Sequence, residues 1–193
     1  MALYISRGSG QAFAERCSIL RGKGANGMRP INIPQVFFID PFETVTMGRY
    51  TVTALPANHD RAIECLNYII SDGSNTILWL HDTGIPLPRT WDYLKEHKLK
   101  FDLVSMDCSF PHGTNANAEH MDMKQCREQV EILQHIGCMK ETTLVFLSHI
   151  GHKCQRYTCG LGAGGIAVSN AYCVRWSPSI RVISGRLFQQ GEL

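Results

Sequence analysis

Three short apolar runs in this chain each hand over to a histidine or an aspartate within a few residues of their end, and no other feature restricts the fold as much. Tyr50 to Leu55 is followed by Pro56-Ala57-Asn58-His59-Asp60, Thr76 to Leu80 by His81-Asp82-Thr83-Gly84, and Thr143 to Leu147 by Ser148-His149-Ile150-Gly151-His152. Runs of β-branched and aromatic residues bounded by Gly, Asn, Asp or Pro read as strands. Val36 to Ile39, Cys65 to Ile70 and Phe101 to Met106 are of the same kind. Two stretches carry helical spacing instead: Pro86 to Lys98, with Leu87, Trp91 and Leu94 on one face, and Asp122 to Ile136, with Cys126, Val130 and Leu133. The chain is therefore α/β, and such sheets collect their sites on loops at strand ends.

A length of 193 residues fits one domain of ordinary size. With 44% hydrophobic and 19% charged residues, collagen, coiled coil and wholesale disorder are excluded. The net charge of +2 argues against a dedicated nucleic-acid binder. The longest apolar runs, such as Val36 to Ile39 and Ile77 to Leu80, fall far short of the ~20 residues that cross a bilayer, so no membrane partner is expected. The start, Met1-Ala2-Leu3-Tyr4-Ile5-Ser6-Arg7, has no basic stretch leading into an apolar core and cleavage site, which makes the cytoplasm the expected location. Eight cysteines scattered from Cys17 to Cys173, without a Cys-x-x-Cys pair, read as reduced and mostly buried thiols.

The two flanks differ from this regular middle. Up to about Pro34 the chain is basic and glycine-rich, and only Gln11 to Leu20 reads as a short helix. From Thr142 to Gly191 it contains neither Asp nor Glu, so residues 153 to 193 form an atypical tail of the kind a shifted reading frame produces. Gly160, Gly162 and Gly165 spell G-x-G-x-x-G, but no strand precedes the pattern and no acid follows about 20 residues on for a ribose, so a loop is the better reading.

Imidazole and carboxylate together suit Zn, Fe or Mn, and a carboxylate has two oxygens with which to bridge a metal pair. His59, Asp82 and His149 are therefore candidate metal ligands. Each has an ordinary alternative: a single His after a strand is commonly a surface or capping residue, and Asp82-Thr83-Gly84 also spells a turn. Three such residues at three strand ends favour the metal site. His120, just before the second helix, is a candidate general acid or base. Its alternative is a bystander position beside a capping box of Asp122 and Gln125. Asp107, after the strand Phe101 to Met106, is a further strand-end acid, and Cys108 beside it lacks a local activating partner. His81, His97, His112 and His135 read as surface or packing residues.

Taken in order, these motifs resemble the metallo-β-lactamase-fold hydrolases over roughly Phe37 to His152. The similarity is closest to the branch that contains phosphoribosyl cyclic phosphodiesterase and more distant to transfer-RNA 3′-processing endonucleases. Leu55-Pro56-Ala57-Asn58-His59-Asp60 looks like the third metal motif, Leu80-His81-Asp82-Thr83-Gly84 like the fourth and Ser148-His149-Ile150-Gly151-His152 like the fifth. The resemblance implies an αββα sandwich, of which this chain is an incomplete C-terminal portion forming a single partial domain. It further implies His59, Asp82 and His149 as ligands of divalent metal, Zn or Mn, with two ions in complete members. His120 would act at the scissile phosphate, and His152 and Asp107 would give support.

The family's first metal motif, His-x-His-x-Asp-His, is absent from the 193 residues. The implied function is hydrolysis of a small phosphodiester by a metal-activated water, with little or no turnover by this chain alone because part of the metal site is missing. The alternative is a non-catalytic remnant or interaction module with the same half-fold, whose exposed strand edges would take a second copy of the chain as partner.

Overall fold

The computed structural model describes residues 2–10, 13, 35–110, 119–149, 172–175 and 181–183. The apolar runs become strands, and most of them join one sheet. In chain order the elements are β1 (Ala2–Ser6), β2 (Gln35–Ile39), β3 (Thr44–Met47), β4 (Tyr50–Pro56), β5 (Leu66–Ser71), β6 (Thr76–Leu80), α1 (Pro88–Glu96), β7 (Phe101–Asp107), α2 (Met123–His135), β8 (Met139–Ser148), β9 (Tyr172–Arg175) and β10 (Arg181–Ile183). β3 to β10 form an eight-stranded mixed sheet whose order follows the sequence, while β1 and β2 make a separate parallel pair. The fold is α/β, as the sequence predicts.

Two consecutive crossovers govern the middle of the sheet. β6, β7 and β8 lie parallel and side by side, with α1 joining the first two and α2 the last two. Because such connections are right-handed and advance in one direction, both helices land on the same face. Burial follows from that. Leu78 and Leu80, Val104 and Met106, and Val145 and Leu147 alternate along the three strands and pack with Leu94 of α1 and Cys126, Val130 and Leu133 of α2. On the opposite face Trp79 and Leu144 each keep 40% of their surface in solvent. The same alternation puts Trp79, His81, Ser105, Asp107 and Ser148 on this open side, because side chains two apart along a strand share a face.

The helices start where local chemistry dictates. Pro88 opens α1, since its missing N–H would be unpaired there in any case. Asp122 caps α2: its Oδ1 accepts the Gln125 N–H at 2.7 Å and Gln125 Oε1 accepts the Asp122 N–H at 3.1 Å. β3, which the sequence reading passed over, folds back on β4 through Gly48, whose φ of +65° suits a tight hairpin turn.

Residues 7–10 are helical, ahead of the expected helix; of Gln11 to Leu20 only Phe13 is described, and it is helical. β9 and β10 extend the sheet from within the acid-free tail. The glycine pattern at Gly160 to Gly165, and His112 and His152, lie outside the described residues. Among the described residues no helix is long and apolar enough to cross a membrane. Cys65, Cys108, Cys126 and Cys138 are free thiols, the last three buried.

Candidate metal centre

The parallel strands β6, β7 and β8 end together, and each end supplies a polar residue. Asp107 is the last residue of β7 and its side chain has no solvent-exposed surface. Its Oδ1 accepts the Ser109 N–H at 2.9 Å and the Ser109 hydroxyl at 2.8 Å. Its Oδ2 lies 3.3 Å from the Thr83 N–H and 2.8 Å from His120 Nδ1. A carboxylate only accepts, so His120 donates from Nδ1 and leaves Nε2 at the other end of the ring.

Asp82 and His149 follow β6 and β8 by two residues and one residue, and both adopt left-handed backbone, with φ of +47° and +61°. Residues other than glycine hold that conformation only where their surroundings impose it. Here loop ties do so on the β6 side: the Asn58 N–H donates to Thr83 Oγ1 at 3.0 Å and the Gly84 N–H to the Asn58 carbonyl at 2.7 Å. His149 Nε2 sits 2.9 Å from Asp82 Oδ1, and its Nδ1 lies 3.4 Å from Asp107 Oδ2. Ser109 Oγ stands among these groups, 2.9 Å from His149 Nδ1 and 3.2 Å from His120 Nδ1.

Asp82, Asp107, His120 and His149 thus converge, with one ligand atom from each lying within 4.8 Å of the others. The set fits a divalent cation on its own chemistry. Two imidazoles and two carboxylates are a donor set for Zn or Mn. A fully buried carboxylate also calls for positive charge nearby, and among the described residues no lysine or arginine pairs with Asp107. The side chains grade from this buried floor outward: His120 is 19% exposed, His149 39% and Asp82 59%.

The grouping differs in composition from the ligand set expected from sequence. Asp82 and His149 are in it, and so are Asp107 and His120, which the sequence reading assigned to supporting and catalytic roles. His59 is not among the four. Its Nδ1 lies 3.2 Å from the Glu119 carbonyl, and its ring meets His120 edge-on at 4.9 Å between centres. His120 in turn stacks on His149 at 5.3 Å, so three imidazoles stand in a row. His59 and Asp82 both line an adjacent cavity of about 330 Å³, along with Tyr4, Ser6, Glu64 and Tyr68.

Two residues at the centre were not singled out from sequence. Ser109 has a local signal, since Asp followed two residues later by Ser is a spacing at which the carboxylate accepts a backbone N–H. His81 had none. Its Nε2 lies 2.7 Å from both Ser105 Oγ and Ser148 Oγ, and burial pushes its pKa below the ordinary imidazole value, against the opposing pull of Asp107. The Cys126 thiol is disfavoured as a nucleophile: its Sγ–H donates to the Asp107 carbonyl at 3.1 Å, and a hydrogen bond with Cys108 together with burial pushes its pKa far up.

No family model matches this chain, and no curated protein matches it in sequence. Solved structures do match in shape. A metallo-β-lactamase fold protein, YhfI from Bacillus subtilis, superposes with a TM-score of 0.52 at 18% identity over 78% of this chain and 52% of its own. A protein from Veillonella parvula described as a possible metal-dependent hydrolase gives 0.53 at 12% identity over 79% and 55%. The chain carries part of the metallo-β-lactamase fold. It spans about half the length of both structures. The partial metallo-β-lactamase fold that the resemblance implies is therefore what the chain adopts, with Asp82, Asp107 and His149 at or just past its strand ends and His120 arriving from the approach to α2.

Proposed function

We propose that this centre binds a divalent cation, zinc or manganese, and that the chain forms part of a metal-dependent hydrolase site for a small phosphodiester in the cytoplasm. The observation that carries the reading is the convergence of two carboxylates and two imidazoles on a metallo-β-lactamase frame. Asp82, Asp107 and His149 are the residues that would hold the cation, with His59 a further ligand on the cavity side. Bound there, a divalent cation supplies polarisation of a phosphoryl oxygen and acidification of a water.

The rest follows from the chain's own groups. Asp107 accepts the Nδ1 proton of His120 and so fixes the tautomer and the angle of that ring. With Nδ1–H held in this way, the imidazolium form of His120 carries its second proton on Nε2, and that is the proton it would pass to the departing alkoxide, leaving the neutral ring. Ser109 holds Asp107 against rotation through two hydrogen bonds on one oxygen. The cavity beside Asp82 is of a size for a small substrate. Because the His-x-His-x-Asp-His motif is absent from the 193 residues, the chain by itself binds metal but turns over little or no substrate.

The test uses the purified chain and Mn²⁺. Calorimetry should show uptake that Asp82→Ala abolishes, and the bound Mn²⁺ should broaden the ³¹P resonance of bis(p-nitrophenyl) phosphate without sustained hydrolysis. A chain that takes up neither Mn²⁺ nor Zn²⁺ leaves the non-catalytic interaction module as the reading. Sustained hydrolysis that Asp82→Ala removes would overturn the claim that the site is functionally incomplete.

A further inference from the structure

His81 ties together the strand ends from which the centre is built. Its Nε2 meets the hydroxyls of Ser105 on β7 and Ser148 on β8, both at 2.7 Å, so one ring nitrogen spans from the end of β6 to two neighbouring strands. Its backbone is held from the other side. Asn67 of β5, itself 1% exposed, donates from Nδ2 to the His81 carbonyl at 2.7 Å. Trp79 lies over the imidazole with ring centres 4.0 Å apart, which restricts its rotation. Four adjacent strands are thus linked through one residue.

The residues so tied are the immediate neighbours of the cluster. His81 precedes Asp82, Ser148 precedes His149, and Ser105 stands two before Asp107 on the same face of β7. Asp82 and His149 are also two of the four non-glycine residues with positive φ among the described residues. Left-handed backbone at such residues has to be imposed by neighbours, and the residue just before each of the two belongs to the His81 tie. We propose that His81 is a positioning residue that sets the mutual spacing of Asp82, Asp107 and His149, so that the ligand set is preorganised before a cation enters. The proposal rests on the metal-binding reading above for its ligand, though not for its geometry.

Two readouts separate the proposal from that reading. Mn²⁺ affinity comes first, with His81→Ala expected to weaken binding by roughly 10- to 100-fold, as removal of outer supports of metal ligands does. His81→Gln, whose amide reaches the place of Nε2, should recover most of that loss, while His97→Ala, an imidazole on the C-cap of α1, should leave affinity unchanged. Equal Mn²⁺ affinity in a folded His81→Ala protein would overturn the proposal, as would losses in His81→Gln as large as in His81→Ala. The second readout needs no metal. In ¹H–¹⁵N spectra of metal-free protein, Ser148→Ala and His81→Ala should shift the ring resonances of His149, His81→Gln should shift them less, and those of His97 should stay in place; an unmoved His149 ring in His81→Ala would sink the inference. If the unmodified chain takes up no Mn²⁺, the metal reading fails and the ring spectra alone decide the clasp.

Discussion

A carboxylate wholly removed from water must be satisfied by its neighbours, and Asp107 is met by two backbone N–H groups, a hydroxyl and an imidazole. The sequence showed Asp107 as an acid at a strand end. It did not show that Ser109 and His120 would close around it, because the partners arrive from a turn and from the approach to α2. Asp102, on the same strand, shows what ordinary pairing does. Lys140 Nζ lies 2.6 Å from its Oδ1 and the Thr76 N–H donates to Oδ2 at 2.9 Å, and these bonds hold its pKa below the usual carboxylate value. A depressed pKa contributes stability above the unfolded-state value and loses it as pH falls through the folded-state value. Asp102→Asn should therefore lower the unfolding free energy at neutral pH by no more than about 1 kcal/mol for a pair this accessible, read as a lower urea midpoint. Urea titrations at a series of pH values should show that gap closing below about pH 4.

At the scale of elements, periodicity placed both helices within two residues of their observed ends, since apolar spacing and a capping box are local signals. β7 and β8 were found as well, but β8 starts at Met139, four residues before its apolar run begins. The reason is a tertiary contact: Thr143 Oγ1 accepts the Lys140 N–H at 2.7 Å and donates to the Phe101 carbonyl at 2.7 Å, which carries polar residues into the sheet. β1, Ala-Leu-Tyr-Ile-Ser, and β3, Thr-Val-Thr-Met, are not evident from sequence because five and four residues are too short a window for an apolar run or an alternation to mark a strand by itself. The α2 start matters for the centre, because His120 lies two residues before the cap. Asp122→Ala should cost about 1 kcal/mol of stability through loss of the cap. The loss should appear as a lower thermal midpoint together with weaker Mn²⁺ binding, and the second effect is what distinguishes anchoring of His120 from simple helix stabilisation.

For the whole molecule, a cation that binds only the folded state adds stability by mass action, about 2.7 kcal/mol at a hundredfold excess over Kd. For a chain of this length each kcal/mol moves the midpoint by roughly 2–4 °C, so saturating Mn²⁺ should raise it by roughly 5–10 °C. Differential scanning calorimetry should find no such rise in Asp82→Ala. The half-length match and the 40% exposure of Trp79 and Leu144 on the face opposite the helices belong to the same scale: the described sheet is helix-covered on one side only. Read alone, the amino-acid sequence determined the α/β class, the two helices and the fact that His and Asp stand at successive strand ends, because these are consequences of local periodicity and turn chemistry. Which of them meet was decided only in three dimensions. The parallel register of β6, β7 and β8 carries Asp82, Asp107 and His149 to one place, and the approach to α2 brings His120 beside them. His59 follows β4, which runs in the same direction as β6 but lies beyond β5, so it reaches the same end of the sheet one ring out from the four, on the cavity side.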